Sequence, residues 1–369
     1  MTGFILYYCL IYSVLVGIGL QYIAIQKKKV NRQTSKPYNL NELTVVIPFR
    51  DEEQRIAPLI QSINQAAVQP AQYIFVDDHS TDNTQSIIRN SIRNDIPYLV
   101  LDSKQEGKKN AVLKGVEQAQ TKFILTLDAD VSFESNYFKQ INKIAVADMT
   151  ILPVKMNSVS WKNLFEMDIY LVGSLNQITT GIKRPIVASG ANLIFSKTQF
   201  LNYNSIEKHK NLASGDDQFL LADFNQNKLS VELIIANELA VTTAAPSNLL
   251  EFFNQRIRWF SKTSKVGDSF ANLIGFVQLI LTGGFATGLI LCLFNEAYLT
   301  SILLLAIKSS LDGILVWNYL YNINRTAILK WIPVYELLYP LYSILILIFS
   351  IFFTPNWKGR TIKKPSLKL

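Results

Sequence analysis

The stretch KFILTLDAD, residues 122–130, is a run of apolar and β-branched residues that ends in two aspartates. Two similar runs precede it, LTVVIPF at 43–49 and YIFVDD at 73–78, and a shorter run fits 98–102. Runs of this kind are typical of strands that are buried on both faces of a sheet. The four runs therefore predict the central strands of one sheet.

Helical patterns separate these strands, at 54–66, 81–92 and 108–120. Ser80 and Asp82 are candidate caps for the helix at 81–92. Strand alternating with helix predicts an α/β fold with a doubly wound, mostly parallel sheet. After Ile151 the alternation weakens, although a helical stretch near 161–180 and a strand at 231–235 are still expected.

Polar side chains follow the predicted strands where each strand ends. In doubly wound sheets, ligands bind outside the carboxyl ends of the strands. These ends carry Arg50, Asp77, Asp78, Asp128 and Asp130. We therefore expect an acidic ligand site at this edge of the sheet.

The two aspartates of the DAD segment suit a divalent cation. Asp128 and Asp130 are separated by one residue, and Mg²⁺ is usually held by one or two carboxylates together with phosphate oxygens. Alternatively, one aspartate caps a turn and the other is solvated. Asp77 and Asp78 suit hydrogen bonds from a base N–H or a ribose hydroxyl, or a helix-capping role.

Two further segments offer charge near this edge. Lys108 and Lys109 follow Gly107 and would place positive charge near a diphosphate, unless they are simply solvated at a helix start. Asp216 and Asp217 precede an apolar helix, where acidic residues favour the positive end of the helix dipole. One of these two carboxylates also suits the role of general base.

The segment QRIRW, residues 255–259, lies in a helical pattern just before the C-terminal apolar segments. Its basic and aromatic residues are typical of a helix at a membrane surface. Arg258 is in addition a candidate for neutralising an anionic leaving group, and Trp259 for forming the wall of an acceptor site.

Apolar segments indicate a membrane protein. Residues 3–25 form one apolar stretch and residues 271–353 hold three more, each approaching the ~20 residues that cross a bilayer. No basic segment precedes the first stretch and no small-residue cleavage site follows it, which favours an anchor over a signal peptide. Lys27, Lys28 and Lys29 follow instead, and such charges mark the cytoplasmic side.

The net charge of +8 is concentrated beside apolar segments, at 26–36 and 355–369. This placement favours anionic lipid headgroups over nucleic acid as the partner. Cys9 and Cys292 both lie in apolar segments, which argues against a disulfide framework and against a zinc site.

The predicted topology contains a conflict. One N-terminal span followed by three C-terminal spans places the basic tail outside, against the positive-inside rule. We therefore expect one apolar segment, at 297–316 or at 333–353, to be re-entrant or interfacial.

Four motifs in order, VDDHS, DAD, SGDD and QRIRW, carry a resemblance to a known family. They resemble the motif series of the inverting family 2 glycosyltransferases, which include cellulose, chitin and hyaluronan synthases and ceramide glucosyltransferase. The resemblance covers residues 43 to about 265, and WKGR at 357–360 is similar to a tail of lipid-glycosylating members. It implies a GT-A fold, a nucleotide-sugar donor and Mg²⁺ or Mn²⁺.

The resemblance also implies roles for particular residues. Asp217 would be the catalytic base and Arg258 would stabilise the departing diphosphate. The remaining positions fall into three sets: the nucleotide-sugar contacts Glu52, Asp77, Asp78, Lys108 and Asp128; the metal ligands Asp128 and Asp130; and the acceptor or diphosphate contacts Gly190, Asn192, Asp216, Gln255 and Trp259.

Two departures from the family pattern stand out. The family usually has Asn-Glu after the first strand, where this chain has Arg50-Asp51-Glu52-Glu53, and it often has Glu-Asp where this chain has Asp216-Asp217. The second departure keeps a pair of carboxylates.

The sequence thus predicts an inverting enzyme of the cytoplasmic membrane that moves a sugar, with a UDP-sugar as the expected donor, onto a membrane lipid. A processive polysaccharide synthase is the alternative within the class, and a non-catalytic nucleotide-sugar sensor or scaffold is the alternative outside it. The expected organisation is an N-terminal anchor at 1–26, a cytoplasmic GT-A domain at 40–250, an interfacial helix at 251–270, membrane segments at 271–353 and a basic tail at 354–369.

Overall fold

The strands confirm the predicted core of the fold. The computed structural model of the chain describes residues 1–31, 36–205, 216–352, 356–357 and 360–361. The strands in this part are β1 Leu43–Phe49, β2 Gln72–Asp77, β3 Tyr98–Asp102, β4 Phe123–Leu127, β5 Val131–Ser132, β6 Met149–Ile151, β7 Val154–Asn157, β8 Asn192–Ser196, β9 Val231–Leu233, β10 Val241–Ala244, β11 Asn356–Trp357 and β12 Arg360–Thr361.

The helices also follow the predicted pattern, with ends that differ by a few residues. They are α1 Thr2–Asn31, α2 Ala57–Gln65, α3 Thr84–Ser91, α4 Lys108–Gln118, α5 Tyr137–Ile141, α6 Met167–Gly181, α7 Lys197–Tyr203, α8 Asp216–Gln226, α9 Leu249–Val266, α10 Ser269–Phe294, α11 Tyr298–Asn322 and α12 Ile332–Phe352. Short 3₁₀ helices at Ser160–Phe165 and Thr326–Trp331 precede α6 and α12.

The chain divides into two compact units. The sheet unit contains residues 36–157, 187–205 and 216–244 together with β11 and β12, and the helical unit contains residues 1–31, 158–186 and 245–352. The predicted continuous block 40–250 is therefore interrupted, because the segment with α6 groups with the long apolar helices.

The main sheet has seven strands in the order β3-β2-β1-β4-β8-β6-β9. β1 pairs in parallel with β2 and β4, β2 with β3, and β6 with β9, whereas β8 runs antiparallel to β4 and β6. The expected doubly wound, mostly parallel sheet is confirmed. A second sheet has the order β5-β10-β7.

Alternate residues of β1 enter two different hydrophobic cores. Val45 and Ile47 belong to the core that α2 covers, whereas Val46 belongs to the core on the other face, with α4 and α8. At Gly115 of α4, a Cβ atom would lie 2.4 Å from Val46 Cγ1. The absence of a side chain at this position lets α4 lie close to the strand ends.

The helical unit contains four segments that are long and apolar enough to cross a membrane, at Thr2–Lys28, Ser269–Phe294, Tyr298–Asn322 and Thr326–Ser350. α6 packs among them through small residues. A Cβ atom at Gly173 would lie 2.7 Å from the Tyr319 ring, and one at Gly181 would lie 2.5 Å from the Tyr22 carbonyl oxygen.

Candidate active site

The loops that follow β1 and β2 are joined by reciprocal hydrogen bonds. The Thr81 N–H donates to Asp51 Oδ1 at 2.7 Å, and the Asn83 N–H donates to Glu53 Oε2 at 3.0 Å. Glu52, a predicted nucleotide contact, is buried, and its N–H donates to Thr84 Oγ1 at 2.8 Å. The acidic residues that depart from the family pattern therefore hold the two loops together.

Asp77 shapes the second of these loops. Its Oδ1 accepts from the Ser80 N–H at 2.8 Å and from the Ser80 hydroxyl at 2.6 Å. The expectation that Ser80 caps the following helix is wrong, since its hydroxyl is used in this turn. Asp82 does bind the first turn of α3, where its Oδ1 accepts from the Thr84 N–H at 3.0 Å.

Asp78 lies at the carboxyl end of β2 and is only 1% exposed. Its Oδ1 accepts the Gly107 N–H at 2.7 Å, and Arg50 donates to its carbonyl oxygen at 2.9 Å. Burial raises the pKa of the Asp78 carboxyl above its ordinary value, although the Gly107 hydrogen bond and the Arg50 charge oppose this. The side chain is thus held in place at the end of β2.

The start of α4 brings the ends of β2 and β4 together. Gly107 has a φ of 110°, a conformation that favours glycine, and its N–H reaches Asp78. The next residue, Lys108, donates from Nζ to Asp128 Oδ1 at 2.5 Å. Asp78 and Asp128, which the sequence places on separate strands, therefore both bond to residues at the start of α4, one through the Gly107 backbone and the other through the Lys108 side chain.

Asp128 and Asp130 fit a divalent cation that takes its other ligands from a diphosphate. Both carboxylates are partly exposed, with buried Ala129 between them, and Thr243 donates to Asp130 Oδ2 at 3.4 Å. The described residues include no cluster of three histidine, cysteine or acidic side chains that could hold a metal unaided. The donor set therefore suits Mg²⁺ or Mn²⁺ bound jointly with phosphate oxygens.

Asp217 lies in the first turn of α8 and is partly exposed. Its Oδ2 accepts the Gly190 N–H at 3.1 Å and its Oδ1 accepts the Gln218 N–H at 2.8 Å. Gln218 in turn donates to the Ala188 carbonyl oxygen at 2.7 Å. The ASG segment is thus fixed to the start of α8, and Gly190, a predicted acceptor contact, lies next to Asp217, the predicted base.

A crevice in the sheet unit connects this region with α4. Lys109, Thr126, Gly190, Asp217 and Phe219 all line it. Lys109 is buried and lies 4.5 Å from the centre of the Phe219 ring. Lys109 therefore packs inside the unit, contrary to the solvated alternative. Ser214, Gly215 and the side chain of Asp216 lie outside the described residues.

Asn192 has a structural role in place of the predicted acceptor contact. It is fully buried, and the Tyr137 hydroxyl donates to its Oδ1 at 2.5 Å. Its Nδ2 donates to the carbonyl oxygens of Pro153 and Leu239 at 2.8 and 2.9 Å. The amide joins β8 to its neighbours and is closed off from solvent.

The QRIRW segment lies in α9, within the helical unit, and its most engaged residue is one that the sequence analysis missed. Arg256 is 4% exposed and donates from Nε and Nη2 to Asp168 at 2.6 and 2.7 Å. Its guanidinium lies 4.5 Å from the Trp259 ring centre, and it also donates to Gln255 Oε1. The amphipathic period of α9 was the available signal, because Phe252 and Arg256 share its buried face.

Two buried ionic clusters of the helical unit were also missed. Glu166 is fully buried, and Arg325 Nη2 donates to both of its carboxylate oxygens at 2.8 Å. Lys308 binds Asp312 and, at 2.8 Å, Glu336. The spacing of Lys308 and Asp312 on one helix was visible in the sequence, but the third partner comes from a different helix.

Comparisons with known proteins show what the chain is similar to. Residues 44–191 match the family described as Glycosyl transferase family 2. The chain is similar to the 4,4'-diaponeurosporenoate glycosyltransferase of Staphylococcus aureus (strain USA300), with 35% identity over 126 residues, which are 33% of this chain and 33% of the relative. The chain thus aligns with about a third of the length of such relatives.

Two of the solved structures to which the chain is similar were determined with a nucleotide sugar. Mannosyltransferase PcManGT from Pyrobaculum calidifontis, in complex with GDP-Man and Mn²⁺, is 14% identical with a TM-score of 0.45, covering 92% of this chain and 99% of its own. TarS 1–349 from S. aureus, in complex with UDP-GlcNAc, is 14% identical with a TM-score of 0.42, covering 82% of this chain and 92% of its own.

Proposed function

We propose that this chain, which carries a family 2 glycosyltransferase domain at residues 44–191, moves a sugar from a nucleotide diphosphate onto a lipid of the cytoplasmic membrane. The observation that carries the proposal is the meeting of Asp78 and Asp128 at the N-terminus of α4, beside Asp130. The residues at the start of α4, together with the aspartates bonded to them, would then bind the nucleoside, the diphosphate and its cation. The four apolar segments support a lipid as the acceptor.

Each group at the strand ends has a proposed task. Asp78 accepts a hydrogen bond from the nucleoside, and Asp128 and Asp130 hold Mg²⁺ or Mn²⁺. The bound cation would supply charge stabilisation for the leaving nucleoside diphosphate. Lys108, which already neutralises Asp128, adds positive charge at the same place.

The proposed reaction is a single displacement at the anomeric carbon. Asp217 takes the proton of an acceptor hydroxyl, the acceptor oxygen forms the new glycosidic bond, and the bond to the nucleoside diphosphate breaks with inversion. We further propose that Gln255, Arg258 and Trp259 contact the diphosphate and the acceptor, and that Gly190 borders the acceptor.

A second class of acceptor is favoured by the relative from S. aureus, whose name denotes a carboxylate as the acceptor. A carboxylate is already deprotonated at neutral pH, so transfer of the sugar to a carboxylate oxygen needs no general base. The two classes therefore differ in their dependence on Asp217: removal of its carboxylate should stop transfer to a hydroxyl but leave transfer to a carboxylate largely intact.

The test is transfer of labelled sugar from a UDP-sugar into organic-extractable lipid by purified protein in membranes. We expect activity with Mg²⁺ or Mn²⁺, no activity in excess chelator, and a loss of about 10²–10³-fold in Asp130→Asn, a range typical for removal of one electrostatic stabiliser. Label in a polymer would support the polysaccharide alternative. Full turnover in verified absence of metal would refute the metal proposal, and nucleotide binding without any turnover would support the sensor alternative.

A further inference from the structure

The segment between Arg325 and Tyr342 begins and ends at the same place in the helical unit. Arg325 binds the carboxylate of Glu166, and the Tyr342 hydroxyl donates to Asp168 Oδ2 at 3.2 Å. Glu166 and Asp168 are two residues apart at the start of α6. A segment that crosses the membrane has ends about 30 Å apart. The chain from 325 to 342 thus leaves α6 and comes back to it.

Beyond Tyr342, α12 stays beside α9. The rings of Phe252 and Tyr342 are 5.7 Å apart between centroids, and those of Phe253 and Phe349 are 6.1 Å apart. α9 carries Glu251, Asn254, Gln255, Arg256 and Arg258 within a few turns, too many polar groups for the hydrocarbon core, so it belongs at the membrane surface. The C-terminal half of α12 therefore lies at the depth of a surface helix.

The first half of α12 contacts the middle of α11. Ile332 packs against the backbone at Gly313, and Glu336 accepts from Lys308 near the middle of α11. Pro340 follows one turn after Glu336 and removes a helical hydrogen bond, which permits a bend. Before Glu336 the chain contacts α6 through Arg325, and after Glu336 it contacts α6 and α9 through Tyr342.

We infer that α12 is a re-entrant helix, which lies in one leaflet and leaves the membrane on the face where it entered. Of the two segments that the sequence left open, this assigns the one at 333–353. Both ends of α6 lie beside the C-terminal end of α11, since Gln177 donates to Asn318 at 3.1 Å and Glu166 binds Arg325. Gln177 also donates to Gln26 at 3.2 Å, one residue before Lys27, so the basic end of α1 lies there too. The face is therefore the cytoplasmic one.

The re-entrant helix contacts the lipid acyl chains of the cytoplasmic leaflet. Leu337, Leu341, Ile344 and Ile348 are exposed apolar residues of α12. With α1, α10 and α11 as the spans, the five basic residues of the tail, namely Lys358, Arg360, Lys363, Lys364 and Lys368, follow on the cytoplasmic side. The conflict with the positive-inside rule then disappears. The inference concerns topology alone and does not depend on the proposed reaction.

The test is labelling of single cysteines by a membrane-impermeant maleimide in intact cells. Cys9 and Cys292 are first replaced by serine or alanine, and single cysteines are placed in the tail as Ser366→Cys and, exposed between α11 and α12, as Asn324→Cys. Asn295→Cys, exposed between α10 and α11, serves as the expected outside control, and Asn94→Cys, exposed in the sheet unit, as the expected inside control. Retained activity of each variant shows that it has folded.

We expect Ser366→Cys and Asn324→Cys to resist labelling until the membrane is permeabilised, as Asn94→Cys does, while Asn295→Cys is labelled at once. Labelling of Ser366→Cys together with Asn295→Cys would overturn the inference, and labelling of Asn324→Cys with a protected Ser366→Cys would assign the re-entrant segment to 297–316 and overturn it too. If Asn94→Cys were labelled from outside as well, the proposed cytoplasmic reaction would fail, yet the re-entrant helix would still be tested by whether positions 366 and 94 behave alike. A spin label at Leu341→Cys should in addition be more accessible to oxygen than to a water-soluble nickel reagent.

Discussion

The two compact units use buried and half-buried charge in opposite ways. In the helical unit Lys308, Asp312 and Glu336 are at most 4% exposed and satisfy one another. In the sheet unit Asp128 and Asp130 are partly exposed at a strand end. Mutual pairing in a buried place indicates helix packing, whereas carboxylates that converge on a surface edge indicate a ligand. We therefore expect the loss of one charge to lower stability in the first unit and to lower activity in the second.

The largest expected effect is on the activity of the sheet unit. Asp217→Asn should lower transfer to a hydroxyl acceptor by ~10²–10⁴-fold, the usual contribution of a positioned general base. Donor affinity, measured by calorimetry, should stay unchanged. Asp216→Asn is the control and should be less harmful.

The structure makes this test stricter, because Asp217 accepts N–H groups on both oxygens. An asparagine amide would direct its NH₂ at one of these donors and loosen the hold on Gly190. Loss of nucleotide binding in Asp217→Asn would therefore indicate a structural role, and near-normal turnover would contradict the assignment as a base for hydroxyl acceptors.

Next in size is a change in the helical unit that should act on stability. Lys308→Met leaves Asp312 and Glu336 buried without their shared cation, and breaking a buried ion pair in this way typically costs ~3–5 kcal/mol. We expect a much lower yield and a lower melting temperature in detergent.

The matched control replaces the whole cluster, as Lys308→Met, Asp312→Leu, Glu336→Met and Tyr12→Phe together, since Tyr12 donates to Asp312. Removing all partners of a buried ionic cluster is often neutral or stabilising. Recovery of the melting temperature would support a packing role, whereas a folded but inactive quadruple variant would show that the cluster takes part in function.

A smaller effect on stability should distinguish Arg256 from Arg258, the two arginines of the QRIRW segment. Arg256→Lys loses the two-pronged contact with Asp168 and should lower stability by about 1–3 kcal/mol. Arg258→Lys should instead lower kcat while the melting temperature stays unchanged. Thermal unfolding and initial rates on both variants check this, and equal melting temperatures would contradict the division of roles.

The smallest expected effect is Ser80→Ala, which removes a hydroxyl that donates to Asp77 and accepts the Asp51 N–H at 3.1 Å, but keeps the bond from the Ser80 N–H to Asp77. We expect about 1–2 kcal/mol of lost stability, since a typical hydrogen bond contributes about 1 kcal/mol. Denaturant unfolding of the purified protein measures it. Thr81→Ala is a useful comparison, because the Thr81 hydroxyl makes only a longer contact of 3.3 Å with Asp51.

Local pattern accounts for the parts of the fold that the sequence predicted. β1 and β3 have the predicted bounds, because uninterrupted β-branched runs with turn residues at their ends leave little choice. The meeting of Asp78 with Asp128 also followed from topology, since parallel strands end at one edge. The antiparallel insertion of β8 was not predictable, because its pairing partners are distant in sequence.

Side-chain partnerships were the part that the sequence concealed. Asn192 looked like a pocket residue, but three distant groups engage it. Arg256 looked no different from Arg258, and only its contact with Asp168, 88 residues earlier in the chain, distinguishes it. Helix spacing predicts which residues share a face, but it does not identify what that face meets.

The joined loops after β1 and β2 have a consequence for hydrogen exchange. The amides of Thr81 and Asn83 are bonded to side chains of Asp51 and Glu53, and the amide of Glu53 is bonded back to Asp82. None of these amides belongs to a strand or a helix, so surface loops of this kind would ordinarily exchange with solvent quickly. Because each loop protects the other, we expect their amides to exchange slowly and at one common rate, as a single cooperative opening.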